Sequence, residues 1–183
     1  PYLHLPVQSG SDNILKAMSR KHTAEQYIRL IERIRAVRPD ILLSGDFIVG
    51  FPEETEEDFE TLKQWVKDSR FDRLGCFTYS HEENTTAYDL EDDVPEEVKQ
   101  ERAAEIMAVQ QVISEEMNAQ KVGKTFKVLI DRKEGNYFVG RTEFDSPDVD
   151  NEVLIDVDYL KAGDFYNVEV TSSSDYDLYA KLV

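Results

Sequence analysis

With 183 residues, the chain is long enough for one or two domains with cores of their own, and 38 acidic residues against 21 lysines and arginines give it a formal net charge of −17. Such a balance argues against phosphate-rich partners and toward basic ones. No run approaches the roughly 20 apolar residues that span a membrane, and the single cysteine, Cys76, cannot form an internal disulfide, which fits a reducing cytoplasm.

The chain opens with a strand, Leu3 to Val7, that runs into the small polar residues Gln8-Ser9-Gly10-Ser11-Asp12 and then a helix carrying Ile14, Leu15 and Met18. The amide of Gln8 and the hydroxyls of Ser9 and Ser11 are candidates to bind a ribose or a carboxylate, with helix capping the competing role for Ser11 and Asp12. A helix from Thr23 to Val37 places Tyr27, Ile28, Leu30, Ile31 and Ile34 near helical spacing, and Pro39 stops it. The strand Ile41 to Val49 then runs straight into Gly50-Phe51-Pro52 and an acid-rich helix start. In α/β sheets and barrels small molecules bind where strands deliver their C-terminal ends, and a glycine there lets a ligand approach backbone. Thr55 is placed to cap the next helix, Thr55 to Ser69, with Asp58 as a short stand-in for the capping-box glutamate. Phe59, Leu62, Trp65 and Val66 form its inward stripe, so Trp65 reads as core.

A further strand, Arg73 to Tyr79, holds Cys76 between apolar neighbours, as a buried thiol rather than a ligand. The loop Tyr79 to Tyr88 follows a strand end and is a candidate wall of a site. His81 beside Glu82 and Glu83 suits an acid, a base or a metal ligand, or equally an exposed loop of mixed charge. Pro95 opens a helix that continues to about Ala119, with Ala103, Ile106, Met107, Gln110, Val112, Ile113 and Met117 as its apolar side and packing as its role. The fold class is therefore α/β through residue 120, with strands and helices alternating around a parallel sheet.

From Gly123 the pattern changes to five short strands, Thr125 to Arg132, Tyr137 to Glu143, Glu152 to Val157, Asp164 to Thr171 and Tyr176 to Leu182. These predict a second domain, residues 121–183, folded as a small five-stranded antiparallel β-barrel of oligonucleotide-binding type. Its charge is wrong for nucleic acid: eight lysines and arginines stand against thirteen acids, and Glu143, Asp145, Asp148, Asp150, Glu152, Asp156 and Asp158 succeed one another with no basic residue between. Such a face repels phosphate and attracts a basic protein, where the plainer role is solubility.

His4-Leu5-Pro6-Val7-Gln8-Ser9-Gly10-Ser11-Asp12, Met18-Ser19-Arg20-Lys21-His22-Thr23 and the segment Asp46 to Thr55 resemble the second half of a radical S-adenosylmethionine methylthiotransferase. The resemblance implies the later half of a radical SAM barrel followed by a TRAM domain, a sulfur-group transferase activity, and S-adenosylmethionine with two four-iron, four-sulfur clusters as cofactors. It implies that Gln8, Ser9 and Ser11 lie near the ribose or methionine end of S-adenosylmethionine, and Ile48, Gly50 and Phe51 near its adenine. Cluster ligation needs three or four thiolates, so neither cluster is expected on this chain. A chain that opens at Pro1 inside a barrel strand is expected to be part of a longer enzyme and inactive alone. No catalytic side chain is assigned, because the cofactor carries the hard step.

Within the family, the acidic Glu82-Glu83 loop and the run Gly140-Arg141-Thr142-Glu143-Phe144-Asp145-Ser146-Pro147-Asp148-Val149-Asp150 resemble the branch that methylthiolates the β-carbon of an aspartate in a basic small-subunit ribosomal protein. Glu82, Glu83, Asp145, Asp148 and Asp150 are then the candidate substrate contacts. Gln8-Ser9-Gly10-Ser11 and Ser44-Gly45-Asp46 look more like the branch that modifies adenosine in transfer RNA, and a noncatalytic acidic docking module is the third reading. The family usually has glycine where this chain has Glu53.

Overall fold

The computed structural model describes residues 1–147 and 151–183, and divides into two compact units, Leu3–Gln110 and a second made of Gln111–Val183 with Pro1–Tyr2. In the first unit the order is β1 (Tyr2–Gln8), α1 (Asp12–Ala17), α2 (Ala24–Val37), β2 (Leu42–Val49), α3 (Glu56–Ser69), β3 (Arg73–Thr78), a 3₁₀ turn at Thr86–Asp89 and α4 (Glu96–Ala119), whose last turns belong to the second unit. The sheet order is β1-β2-β3, and β2 and β3 run parallel with Ser44 opposite Arg73 and Ile48 opposite Phe77. The expected β/α alternation is present.

One face of this sheet is covered. Leu43, Phe47 and Val49 of β2 are fully buried, and the Phe47 ring lies 5.7 Å from Trp65 of α3 and 5.9 Å from Phe71. Phe59, Leu62, Trp65 and Val66 are all buried, as their helical spacing predicts. In α2 only Ile31 is buried and Leu30 points outward, so the apolar stripe there is narrower than expected.

The helix starts follow local chemistry. Thr55 accepts from the Asp58 N–H at 3.2 Å while Asp58 accepts from the Thr55 N–H, closing the expected capping box, and Thr23 does the same with Gln26. The fourth helix corrects an expectation. Its buried positions are largely polar, Lys99, Arg102, Gln110, Ser114 and Asn118 beside Ile106 and Ile113, while Val112 is 55% exposed. Each buried polar side chain has a partner that no helical periodicity reveals, such as the Phe71 carbonyl that receives the Gln110 amide at 2.9 Å.

The second unit is a closed barrel of β4 (Thr125–Glu134), β5 (Tyr137–Arg141), β6 (Val153–Asp156), β7 (Phe165–Ser173) and β8 (Leu178–Leu182) in the order β4-β5-β6-β8-β7. Every seam is antiparallel except β6 with β8, which is parallel and departs from the expected all-antiparallel barrel. After β6 the chain crosses to pair β7 with β4, so β8, returning antiparallel to β7, closes the barrel beside β6 in the same direction. The interior is hydrocarbon: Val128, Ile130, Phe138, Val153, Ile155, Val168, Val170 and Leu178 are buried together. Among the described residues no helix is long and apolar enough to cross a membrane.

Candidate functional site

On the face of the sheet that carries Asp46 and Ile48, the C-terminal ends of the strands open into a cleft of about 510 Å³. Gln8 of β1, Asp46 and Ile48 of β2, and Phe77 and Thr78 of β3 line it, together with Phe51 from the turn after β2 and Tyr79, Ser80 and Glu82 from the loop after β3. Met18 and Arg20, from the α1–α2 connection, complete the wall. This is the place where open α/β sheets hold ligands.

Gln8 ends β1 with φ of 77°, a conformation uncommon for a side chain other than glycine, asparagine or aspartate. That outlier turns the chain at the cleft wall, and strain of this kind gathers at sites that hold ligands. Phe51 is buried against Tyr79, ring centroids 5.1 Å apart, and with Ile14 the pair forms an apolar floor beside Ile48 and Met18.

Ser9 and Ser11 are placed differently from expectation. The Ser9 hydroxyl accepts from the Ser11 N–H at 3.2 Å, and the Ser11 hydroxyl donates to Asp58 Oδ1 at 2.6 Å. Both are buried and belong to the lattice that fixes the turn after β1 to the start of α3, and neither lines the cleft. Ser11 sits at the N-cap position of α1 without capping it, and its hydroxyl donates to Asp58 instead. Burial pushes the Asp58 carboxyl up, but donation from Ser11, Thr55 and Asn13 outweighs it and holds the group below its ordinary range.

Gly50 also has another reason than the one expected. Its φ is +70°, and a Cβ there would stand 2.3 Å from Lys99 Cγ, so the glycine admits the aliphatic stem of a lysine rather than a ligand. That Lys99 is buried, with its ammonium on Asp92 at 2.6 Å and 5.2 Å from the Tyr79 ring centroid. Next to it, the Gly50 N–H donates to Glu54 Oε1 at 2.8 Å, and the same oxygen receives Arg102 Nη1 at 2.8 Å. Burial lifts the Glu54 carboxyl above its ordinary value, only partly offset by the Gly50 N–H and Arg102. Glu54, Lys99 and Arg102 thus hold the turn that presents Phe51, and sequence reasoning missed all three. The legible signal was Glu54, four residues after Gly50 in a motif already singled out.

Glu53 has φ of 68°, the left-handed conformation in which glycine is favoured, and its N–H donates to Asp93 at 2.8 Å. Also unforeseen is a polar row across the open face: His4 Nε2 meets Asp46 Oδ2 at 3.2 Å, and His4 Nδ1 meets Ser44 Oγ at 3.1 Å. A Cβ at Gly75, across from Asp46 in register, would lie 2.9 Å from Asp46 Oδ1. The missing side chain leaves the carboxylate its room.

Of the expected substrate contacts, Glu82 lines the cleft and accepts from Ser80 Oγ at 2.6 Å, while Glu83 is exposed and outside it. His81 is exposed, its ring 4.6 Å from Tyr88. In the barrel unit, Asp145 is half-buried and turned inward, accepting from Thr142 Oγ1 at 2.5 Å and from the Thr142 N–H. Asp148 and Asp150 lie outside the described residues. Glu152 is paired with Arg132 at 2.8 Å, and among the described residues Glu143, Asp156 and Asp158 are the exposed acids of the run.

Cys76 is a free, half-buried thiol whose pKa is pushed up to about 12 by burial and by the nearby Glu54. An iron–sulfur cluster takes three or four thiolates, and this chain has one cysteine. Among the described residues no group of three or more His, Cys, Asp or Glu side chains is disposed to hold a metal ion.

Residues 1–66 match the radical SAM superfamily and residues 122–183 match the TRAM domain. The chain is 59% identical over 182 residues to the ribosomal protein uS12 methylthiotransferase RimO of Christiangramia forsetii, covering 98% of this chain and 40% of that protein. It is 54% identical to the protein of the same name from Flavobacterium psychrophilum, over 98% of this chain and 42% of that one. The chain therefore spans about two fifths of the length of these curated relatives. Among solved structures, coproporphyrinogen III oxidase HemN from Escherichia coli, a radical SAM enzyme, superposes with a TM-score of 0.51 at 22% identity, covering 62% of this chain and 26% of that one. That likeness speaks for the fold alone.

Proposed function

We propose that this chain belongs to the radical S-adenosylmethionine methylthiotransferase family and forms the later barrel and TRAM parts of an enzyme that adds a methylthio group to the β-carbon of an aspartate in ribosomal protein uS12. Residues 1–120 contribute the barrel strands with their closing helix, and residues 121–183 the TRAM domain. The observation that carries this reading is the cleft at the ends of three neighbouring strands, with a polar wall at Gln8 and an apolar floor at Ile48 and Phe51.

Those residues fit S-adenosylmethionine. An adenosine has one flat apolar face and a rim of hydroxyls, which suits the Phe51–Ile48 floor and the Gln8 amide. Gln8, Ile48 and Phe51 touch it directly, and Ser9, Ser11 and Gly50 act behind them by fixing the two turns. When bound beside a reduced cluster, S-adenosylmethionine supplies the radical that removes an unactivated hydrogen, chemistry that no acid or base performs at neutral pH. The protein's own share is to orient and to exclude water. Iron–sulfur clusters do not fit these residues, so the two clusters are held by thiolates outside this chain's 183 residues.

The partner is a basic ribosomal protein in the cytoplasm. The barrel's net charge of −5 and the exposed Glu143, Asp156 and Asp158 favour it over phosphate, and in the other unit Glu82 lines the cleft with a carboxylate of its own. Offering the reconstituted enzyme uS12 and transfer RNA together, with S-adenosylmethionine, sulfide and reductant, tests the reading by mass spectrometry. A methylthio gain on uS12 alone is expected. A gain on the RNA alone would hand the substrate to the Gln8–Ser11 and Ser44–Asp46 motifs and reject the charge argument.

A further inference from the structure

Successive side chains of a strand point to opposite faces, so His4 shares its face of β1 with Gln8, and Ser44 and Asp46 share theirs of β2 with Ile48. Asp46 lines the cleft, whereas His4 and Ser44 stand behind it and do not. His4 and Asp46 are each about two-fifths exposed, 41% and 42%. An ion pair so open to water is a weak source of stability, and what it can still supply is direction.

The bonds of this row fix the imidazole. An ionised carboxylate can only accept, so the His4 Nε2 that meets Asp46 Oδ2 at 3.2 Å carries a proton. In the neutral ring Nδ1 is then bare, and it receives the Ser44 hydroxyl at 3.1 Å. Ser44 thereby selects the tautomer, and the ring anchors one oxygen of Asp46. The other oxygen, Oδ1, takes no hydrogen bond among the described residues. It has room because Gly75 stands opposite Asp46 in β3, where a Cβ would lie 2.9 Å from Oδ1. A carboxylate with one oxygen anchored and the other open beside a ligand cleft is an acceptor for a ligand's hydroxyl groups.

We propose that His4 is a positioning residue for S-adenosylmethionine: by holding Asp46 Oδ2 it keeps Oδ1 turned to the hydroxyl rim of the ribose, without touching the ligand itself. The inference rests on the cleft's being the S-adenosylmethionine site, as read above. Without His4 the carboxylate is free to rotate toward water, and binding must then supply the ordering that the imidazole provides in advance.

The test measures equilibrium binding of radiolabelled S-adenosylmethionine to the reconstituted enzyme without reductant, so that no cleavage occurs. Two amides separate positioning from packing. The amide nitrogen of a glutamine reaches the place of Nε2 and can still donate to Asp46, whereas that of an asparagine reaches only the place of Nδ1. His4→Asn is expected to lose about 10-fold in affinity, the lower end of what a hydrogen bond to a charged group is worth, and His4→Gln to bind nearly as well as wild type. Asp46→Ala should lose about 10- to 100-fold, and adding His4→Asn to it should cost nothing more, because the imidazole then has no carboxylate to hold. Equal losses in His4→Asn and His4→Gln would make the residue a packing element and overturn the proposal, as would losses that add in the double variant. A wild-type enzyme that binds no S-adenosylmethionine removes the reading of the cleft and this inference with it. A wild type that binds it while His4→Asn binds equally well removes the inference alone.

Discussion

In the unit that carries the cleft, Glu54, Asp58, Lys99 and Arg102 are buried, whereas the core of the small barrel is built from Val128, Ile130, Ile155, Val168 and their apolar neighbours. Burying ions is a poor route to stability, since desolvation consumes most of what pairing returns. Their use here is directional: each charged bond fixes one atom of a turn, and those turns carry Gln8 and Phe51. The barrel has no such task. Its hydrocarbon core stabilises without specifying side-chain directions on the outside, which leaves its exposed acids free for the long-range attraction that the proposed basic partner requires.

The contrast breaks first at Arg102. Arg102→Met leaves Glu54 buried without its cation and should cost about 3–5 kcal/mol, read from urea denaturation; a loss below about 1 kcal/mol would mean that water reaches the carboxylate. Because burial already raises the Glu54 pKa, its contribution is fully present below the unfolded value and is lost as pH rises through the folded one. Removing Arg102 raises that pKa further, so the deficit of Arg102→Met should shrink in mild acid.

Ile155→Ala, in the barrel, should cost about 2–5 kcal/mol with no such pH dependence, since a cavity has no charge to titrate. A pH-dependent loss there would end the distinction between the two cores. Thr55→Ala removes a cap and should cost about 0.5–2 kcal/mol. Glu53→Gly relieves a left-handed backbone and should change stability by about 1 kcal/mol or less, in the stabilising direction.

At neutral pH the smallest effect is expected at Cys76. Its thiol pKa rises from 9.0 to about 12 on folding. The stability this contributes is therefore whole below pH 9 and lost as the pH climbs toward 12. Comparing wild type with Cys76→Ala across that window isolates the term. At pH 8 the folded chain should resist iodoacetamide and the urea-unfolded chain should react; equal rates would show a thiol that is not buried.

What could be read in advance was whatever acts over a few residues. The alternation of strands and helices, the Thr55–Asp58 capping box, the Phe59-to-Val66 stripe and the five short strands of the barrel all follow from backbone hydrogen bonding and the periods of 3.6 and 2, so they leave a mark within about ten residues. The cleft was half legible: Gln8, Ile48, Phe51 and Glu82 line it, while Ser9 and Ser11 tie the turn after β1 to the start of α3 and Gly50 makes room for Lys99. The polar face of α4 was hidden, because a buried lysine reads as surface until its partner is known.

The amino-acid sequence by itself determined the element types, the two-part organisation, the acidic charge and the strand ends that line the cleft. Tertiary structure alone decided which charges meet. Arg102 lies 48 residues from Glu54, Ser11 47 from Asp58, and His4 40 from Ser44. Such pairs depend on which strand neighbours which and on where a distant helix crosses, and no periodic pattern along the chain encodes either.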